Sequence, residues 1–182
     1  ANKLSLHFIS DKPPEEAVQF IENVYNQSSG DLVKVHQAVV DAVIKYGVNS
    51  EKFLQPELWF FNVHKAVGGG LPFKFLGQSD DWGREQTNNI LYEMGHLNSR
   101  TPQPNGWSDL AVDWLTPEMM DRRVRYIVQL SPKLEYKLKF DPDEYAINFF
   151  GKESPEAAEV MAAPSFTRAC LKIFCHPKFM RT

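Results

Sequence analysis

A helix-starting residue, apolar residues three and four apart, and then a stop: that pattern recurs along almost the whole of this chain. In "SDKPPEEAVQFIENVYNQSSG", Asp11 offers a cap and the prolines sit where a first turn accepts them. Glu15 and Glu16 lie at the positive end of the dipole. Ala17, Phe20, Ile21, Val24 and Tyr25 form one stripe, and Gly30 stops it. "DLVKVHQAVVDAVIKYG" repeats the scheme with Asp31 as cap, Leu32, Val35, Val39, Val43 and Tyr46 on a face, and Gly47 at the end. "QPELWFFNVHKAVGGG" predicts a third helix from Pro56, and "GREQTNNILYEMG" a weaker fourth. "TPEMMDRRVRYIVQLS" predicts a fifth, capped by Thr116 with Pro117 in the first helical position. Residues 142–150, 155–162 and 165–174 read as three more.

Strand signals are nearly lacking. "EYKLKF" alternates briefly and could extend, but one short strand builds no sheet. The expected fold is all-α, an irregular bundle of about seven or eight helices with one long loop. That loop runs from about Gly95 to Thr116 and holds the prolines and tryptophans of "RTPQPNGWSDLAVDWLTPEMMDRR". At 182 residues the chain suits one domain over 1–182 and can bury a core without staples.

Composition narrows the function classes. A net charge of -3 disfavours a protein that grips phosphate backbones, so no nucleic acid partner is expected. No apolar run is long enough to span a bilayer. The opening "ANKLSLHFISD" lacks a leader pattern, and its abrupt start suits a piece of a longer chain. Cys170 and Cys175, if helical, point roughly 140° apart and cannot bridge each other. They read as small buried hydrophobes, and no metal spacing exists. No cofactor and no metal are expected.

The candidate site centres on the loop. Trp107 and Trp114 can bury large areas and still present an indole N–H. Gly106 permits a tight turn, and the prolines stiffen the backbone. These features suit a rigid cover packed on the helices, or exposed aromatic platforms for a sugar or peptide. Arg123 lies roughly 60° from Met120 around its helix, which places it at the edge of an apolar face of Met120, Val124 and Ile127. A carboxylate, with Asp109 and Asp113 nearest in sequence, or loop carbonyls must answer its charge. His96 opens the loop and could form an acid–base pair with Asp109 or Asp113. His36 and His64 sit on helices beside apolar residues, which suits placement in the core or at its surface edge. "VGGGLPF" lacks the Lys-Ser/Thr of a phosphate loop, "SDDWGRE" lacks a calcium-loop pattern, and no G-x-S-x-G is present. The binding candidates are thus His96, Arg100, Trp107, Asp113, Trp114 and Arg123, with no catalytic residue assigned.

"MGHLNSRTPQPNGWSDLAVDWLTPEMMDRRVRY" resembles the signature of a large bacterial family, the domain of unknown function 1800. The family's Gly, Pro-rich loop, Gly-Trp pair, Trp-Leu-Ser/Thr-Pro and helical Arg fall on Gly95, Pro102 and Pro104, Gly106-Trp107, Trp114 to Pro117, and Arg123. "HFISDKPPEEAVQFIENVYNQSSGDLVKVHQAVV" is similar to the family's opening, and "CHPKFMRT" to its closing Ser-Pro-x-Phe-x-Arg, with His176 in place of serine. The resemblance implies a helical fold and the C-terminal portion of a longer protein. It also implies an extracytoplasmic location, periplasmic or secreted, because members often carry export signals and are often encoded beside a phosphatase-like secreted family. It carries no catalytic residues. The expectation is therefore a non-catalytic helical binding or scaffolding domain of a larger exported protein. Its partner would be the rest of its parent chain or another cell-envelope protein. The alternatives are a hydrolase-type enzyme with a site in the 95–123 loop, and a structural subdomain completing the parent's core, for which a broad bare apolar face is expected.

Overall fold

The structure, a computed structural model, describes residues 1–47, 52–68, 80–96, 101, 104 and 106–181, the side chains of 80–86 aside. The described residues form ten α-helices and one π turn and no strands, so the protein is all-α. The only extended pairing among them is a single bridge between Phe53 and Arg181. The chain divides into two compact units: Ala1–Phe53 with Ser108–Asp113 and Arg181–Thr182, and Leu54–Trp107 with Trp114–Met180.

The first unit is built from α1 (Asn2–Phe8), α2 (Glu15–Gln27) and α3 (Leu32–Tyr46). Its core is Ile9, Ala17, Ile21, Val35, Val39 and Ala42, with Leu4, Phe20, Val43 and Tyr46 packed against it. Asp31 caps α3 as its sequence predicts, accepting from the Val33 and Lys34 amides at 3.0 and 3.4 Å. Gly30 reaches φ +82 between α2 and α3, a left-handed conformation that suits glycine. Helix α1 carries no sequence signal, because Ala1 at its N-cap offers no side-chain bond. Asp11 does not cap α2, which begins after Pro14 without a side-chain cap. Its carboxylate is engaged elsewhere, as described below. Two residues expected in the core, Tyr25 and Leu32, are exposed, and Ala38 and Ala42 fill the buried face of α3.

The second unit holds α4 (Pro56–Ala66), α5 (Asp80–Glu93), α7 (Pro117–Lys133), α8 (Pro142–Phe150), α9 (Pro155–Met161) and α10 (Phe166–Phe174). A four-residue turn, α6 (Ala111–Trp114), interrupts the loop that sequence reads as wholly irregular. Helix α7 starts as expected, with the Thr116 hydroxyl accepting from the Met119 amide and Pro117 in the first turn. It contains Pro132 and runs into a π turn over Leu134–Leu138. The "EYKLKF" segment is therefore wound rather than extended. Continuing the helix satisfies its backbone donors locally, where a lone strand would leave them unmatched. Lys139, at φ 51, ends the turn, and the Phe140 amide donates to the Leu134 carbonyl at 3.0 Å. Helix α10 packs against α7, α8 and α9, and buries Ala169, Cys170, Ile173 and Phe174. The Trp59 indole, fully buried on α4, donates to the Phe174 carbonyl at 2.8 Å.

Candidate functional site

The loop begins where α5 ends. Gly95 adopts φ +76, and a Cβ there would meet Met119 Cε at 3.0 Å. An L side chain would be both strained and crowded at this position. The turn aims His96 inward, with its amide bonded to the Leu91 carbonyl at 2.8 Å. Its ring is only 2% exposed. The imidazole centroid lies 5.1 Å from Trp107 and 5.3 Å from Trp114, and the two indoles lie 5.9 Å apart. Trp114 is buried and Trp107 half-buried. Three of the sequence candidates, His96, Trp107 and Trp114, thus form one aromatic cluster. Neither ring nitrogen of His96 has a hydrogen-bond partner among the described residues. Burial holds its pKa below the usual histidine value, while the Glu57 carboxylate opposes the shift. A neutral ring between two indole faces is the state this environment favours.

Arg123 is not at the border of the core. The buried stripe of α7 is Arg123, Tyr126, Ile127, Leu130 and Ser131, while Met120 and Val124 are half-buried. Tyr126 replaces Val124 in the stripe, and this turns the centre of the face onto the arginine. Arg123 is 1% exposed, its Nη2 donates to the Leu54 carbonyl at 2.6 Å, and its Cζ lies 5.2 Å from the Trp59 ring centroid. A backbone carbonyl and an aromatic face therefore answer the charge. Burial lowers its pKa to about 10, which leaves the guanidinium charged at neutral pH.

Asp113 is exposed and belongs to the first unit, as does Asp109. The Asp109 carboxylate pairs with His7 Nδ1 at 2.7 Å, and its carbonyl accepts from Lys52 Nζ at 2.6 Å. Lys52 also donates to the Leu6 carbonyl at 2.5 Å and to Asp11 Oδ1 at 3.1 Å. Asp11 Oδ2 accepts from the Ala111 amide at 2.5 Å. His96 thus belongs to an aromatic cluster in the second unit, and Asp109 to a polar knot in the first. Arg100 lies outside the described residues.

Sequence reasoning left the placement of one feature open, between core and surface edge, and passed over another. His64 Nε2 lies 2.5 Å from the Tyr126 hydroxyl. Burial lowers the histidine pKa to about 4 and raises that of the tyrosine. His64 stands one turn after Phe60, and its ring centroid is 4.6 Å from the phenylalanine ring. That spacing is the signal that decides for the core over the surface edge. The second feature is an open cleft of about 710 Å³ in the second unit, lined by residues of α5 and α7 and by Met94. Arg122 there donates to the Glu93 carbonyl and, at 2.5 Å, to Glu118, while Arg125 pairs with Asp121 at 2.6 Å.

The cysteines are free, and burial raises the Cys170 thiol to about 12 and Cys175 to about 11. Among the described residues no three His, Cys, Asp or Glu side chains gather as a metal-holding group, and no helix is long and apolar enough to cross a membrane. No curated protein matches the chain, and no solved structure does. A family model does match, over residues 1–179, and its description is a protein of unknown function, DUF1800. With nearly the whole sequence covered by that match, and the Gly95, Trp107, Trp114 and Arg123 positions of the signature built into one helical unit, the chain belongs to the DUF1800 family.

Proposed function

We propose that residues 1–182 act as one non-catalytic helical domain that binds or scaffolds within the cell envelope, as the C-terminal part of a larger exported bacterial protein. The observation that supports this reading is the fate of the reactive groups. His64 and His96 are shifted toward the neutral form, and both thiols are shifted away from the thiolate. Each shift has burial as its largest cause: the thiols are held away from the thiolate a nucleophile needs, and the histidines, neutral near pH 7, are made weak proton acceptors with no proton to donate as an acid. The cleft beside Tyr92 offers two arginines already oriented by Glu118 and Asp121, which suits a polar ligand or a partner peptide of mixed charge. The purified chain is expected to leave model phosphoester, peptide and glycan substrates at background. Turnover that rises with enzyme concentration and survives repurification overturns the reading.

A hydrolase-type site in the 95–123 segment is the second reading. It draws on one observation, the two unbonded ring nitrogens of His96. Under that reading any turnover would vanish in His96→Gln with folding intact.

A further inference from the structure

Helix α3 is apolar on two opposite faces. Val35, Ala38, Val39 and Ala42 fill the buried side. On the other side Val33 is 78% exposed, Ile44 67% and Val40 51%, with Leu32 beside them at 64%. Val33, Val40 and Ile44 fall within roughly 40° of one another around the axis and about 180° from the centre of the buried face. A surface helix needs only one apolar stripe to hold its place in a fold. The outer stripe adds nothing to the packing of this unit, and leaving it in water costs free energy.

The charges beside the stripe point to what covers it. Lys34 and Asp41 lie on the same flank as Lys45, the first two about 20° apart in projection and seven residues apart along the helix; Lys34 Nζ also lies 3.8 Å from Asp31 Oδ2 of its own chain, and Lys45 Nζ rests 5.0 Å from the Tyr46 ring centroid. Gln37 stands between them and donates to Asp41 at 3.0 Å. The opposite flank carries Leu32, His36 and Val43 and no carboxylate or ammonium. When two copies of one helix pack antiparallel about a twofold axis, like flanks meet. With the axis near Ala38 and Val39, Val33 of each copy lies against the partner's Ile44. Asp41 then comes within about two residues' rise, roughly 3 Å, of the level of the partner's Lys34, and the reciprocal pair forms by symmetry. Leu32 faces the partner's Val43 on the other flank. A parallel pair would instead set the charged flank against the apolar one.

We propose that the outer face of α3 is a homodimer interface, in which two copies of this chain pack their α3 helices antiparallel with reciprocal Lys34–Asp41 pairs. The inference uses α3 alone and stands apart from the binding reading of the second unit. A single helix pair is a small interface, so the dimer is expected to be concentration-dependent.

Sedimentation equilibrium of the 182-residue chain tests it. The apparent mass should climb from one copy toward two as concentration rises. Val40→Glu should hold it at one copy with an unchanged circular dichroism spectrum, since Val40 lies outside the core. Lys34→Glu and Asp41→Lys should each weaken the dimer about tenfold, and the double variant should restore it to within a few-fold of the parent. A chain that stays monomeric throughout overturns the proposal, as does a dimer that survives Val40→Glu. A dimer indifferent to the single charge reversals, or not rescued by the double one, overturns the antiparallel pairing. A chain monomeric at every concentration would instead leave the stripe to a segment of the parent protein.

Discussion

Lys52 in the first unit and His96 in the second are both ionisable groups drawn out of water, and the fold treats them in opposite ways. Lys52, with its side chain 14% exposed, is met by three oxygens: the Leu6 and Asp109 carbonyls and the Asp11 carboxylate. His96 is met by two indole faces and, among the described residues, by no hydrogen-bond partner at its ring nitrogens. The difference follows from the proton. An ammonium near neutral pH cannot shed its charge cheaply, so its burial requires matching oxygens. An imidazole can discard its proton and then pack as a flat, uncharged ring. The same rule covers the loop's two kinds of attachment. Its middle, Ser108–Asp113, is held in the first unit by polar bonds, and its ends, Trp107 and Trp114, are held in the second by ring packing.

Removing a ring should therefore do the most damage. Trp114→Ala leaves a cavity where a 3%-exposed indole sat, and the expected loss is about 3–5 kcal/mol, read from urea denaturation. A loss below about 1 kcal/mol would show that the rings do not fasten the loop. Next comes the group that sheds its proton. His64 has a folded-state pKa of about 4, below its ordinary value of 6.5. The unfolded chain takes up the proton first as pH falls, so this contribution is complete above about 6.5 and declines toward pH 4. At most it amounts to about 3 kcal/mol. His96 adds a decline of the same sign. A stability profile flat between pH 7 and 4.5, or one equally steep in His64→Gln, would contradict this account. The polar knot should yield the smallest change. Lys52→Met is expected to cost about 1–3 kcal/mol. In a double-mutant cycle it should couple to Asp11→Asn, with the pair costing less than the sum of the single changes. Strict additivity would mean that the 3.1 Å contact contributes nothing.

The parts of this fold legible in the sequence are those written within a turn or two of chain. Asp31 and Thr116 announce their helices because cap and capped amides lie two or three residues apart. Pro56 and Pro117 mark first turns for the same reason. Asp11 misled because an aspartate before two prolines looks like a cap, while its real partners are 41 and 100 residues away. Arg123 was recognised as needing an answer, but its acceptor is the carbonyl of Leu54, 69 residues back, and a carbonyl leaves no mark in a sequence. The meeting of His96 with both indoles was also out of reach. Each of the three was a candidate by its type, yet nothing local says that they pack on one another rather than face a ligand.

The π turn at Leu134–Leu138 has the arithmetic of an insertion, one residue more than a regular turn holds. Excising a residue there would let the spiral run on evenly, but Phe140 would arrive about 100° further round the axis. It would lose its seat 5.8 Å from Phe174, the ring that also lies 5.1 Å from Phe179. Chain length at this point and the shape of the aromatic stack below it are therefore locked together, and neither can drift without the other.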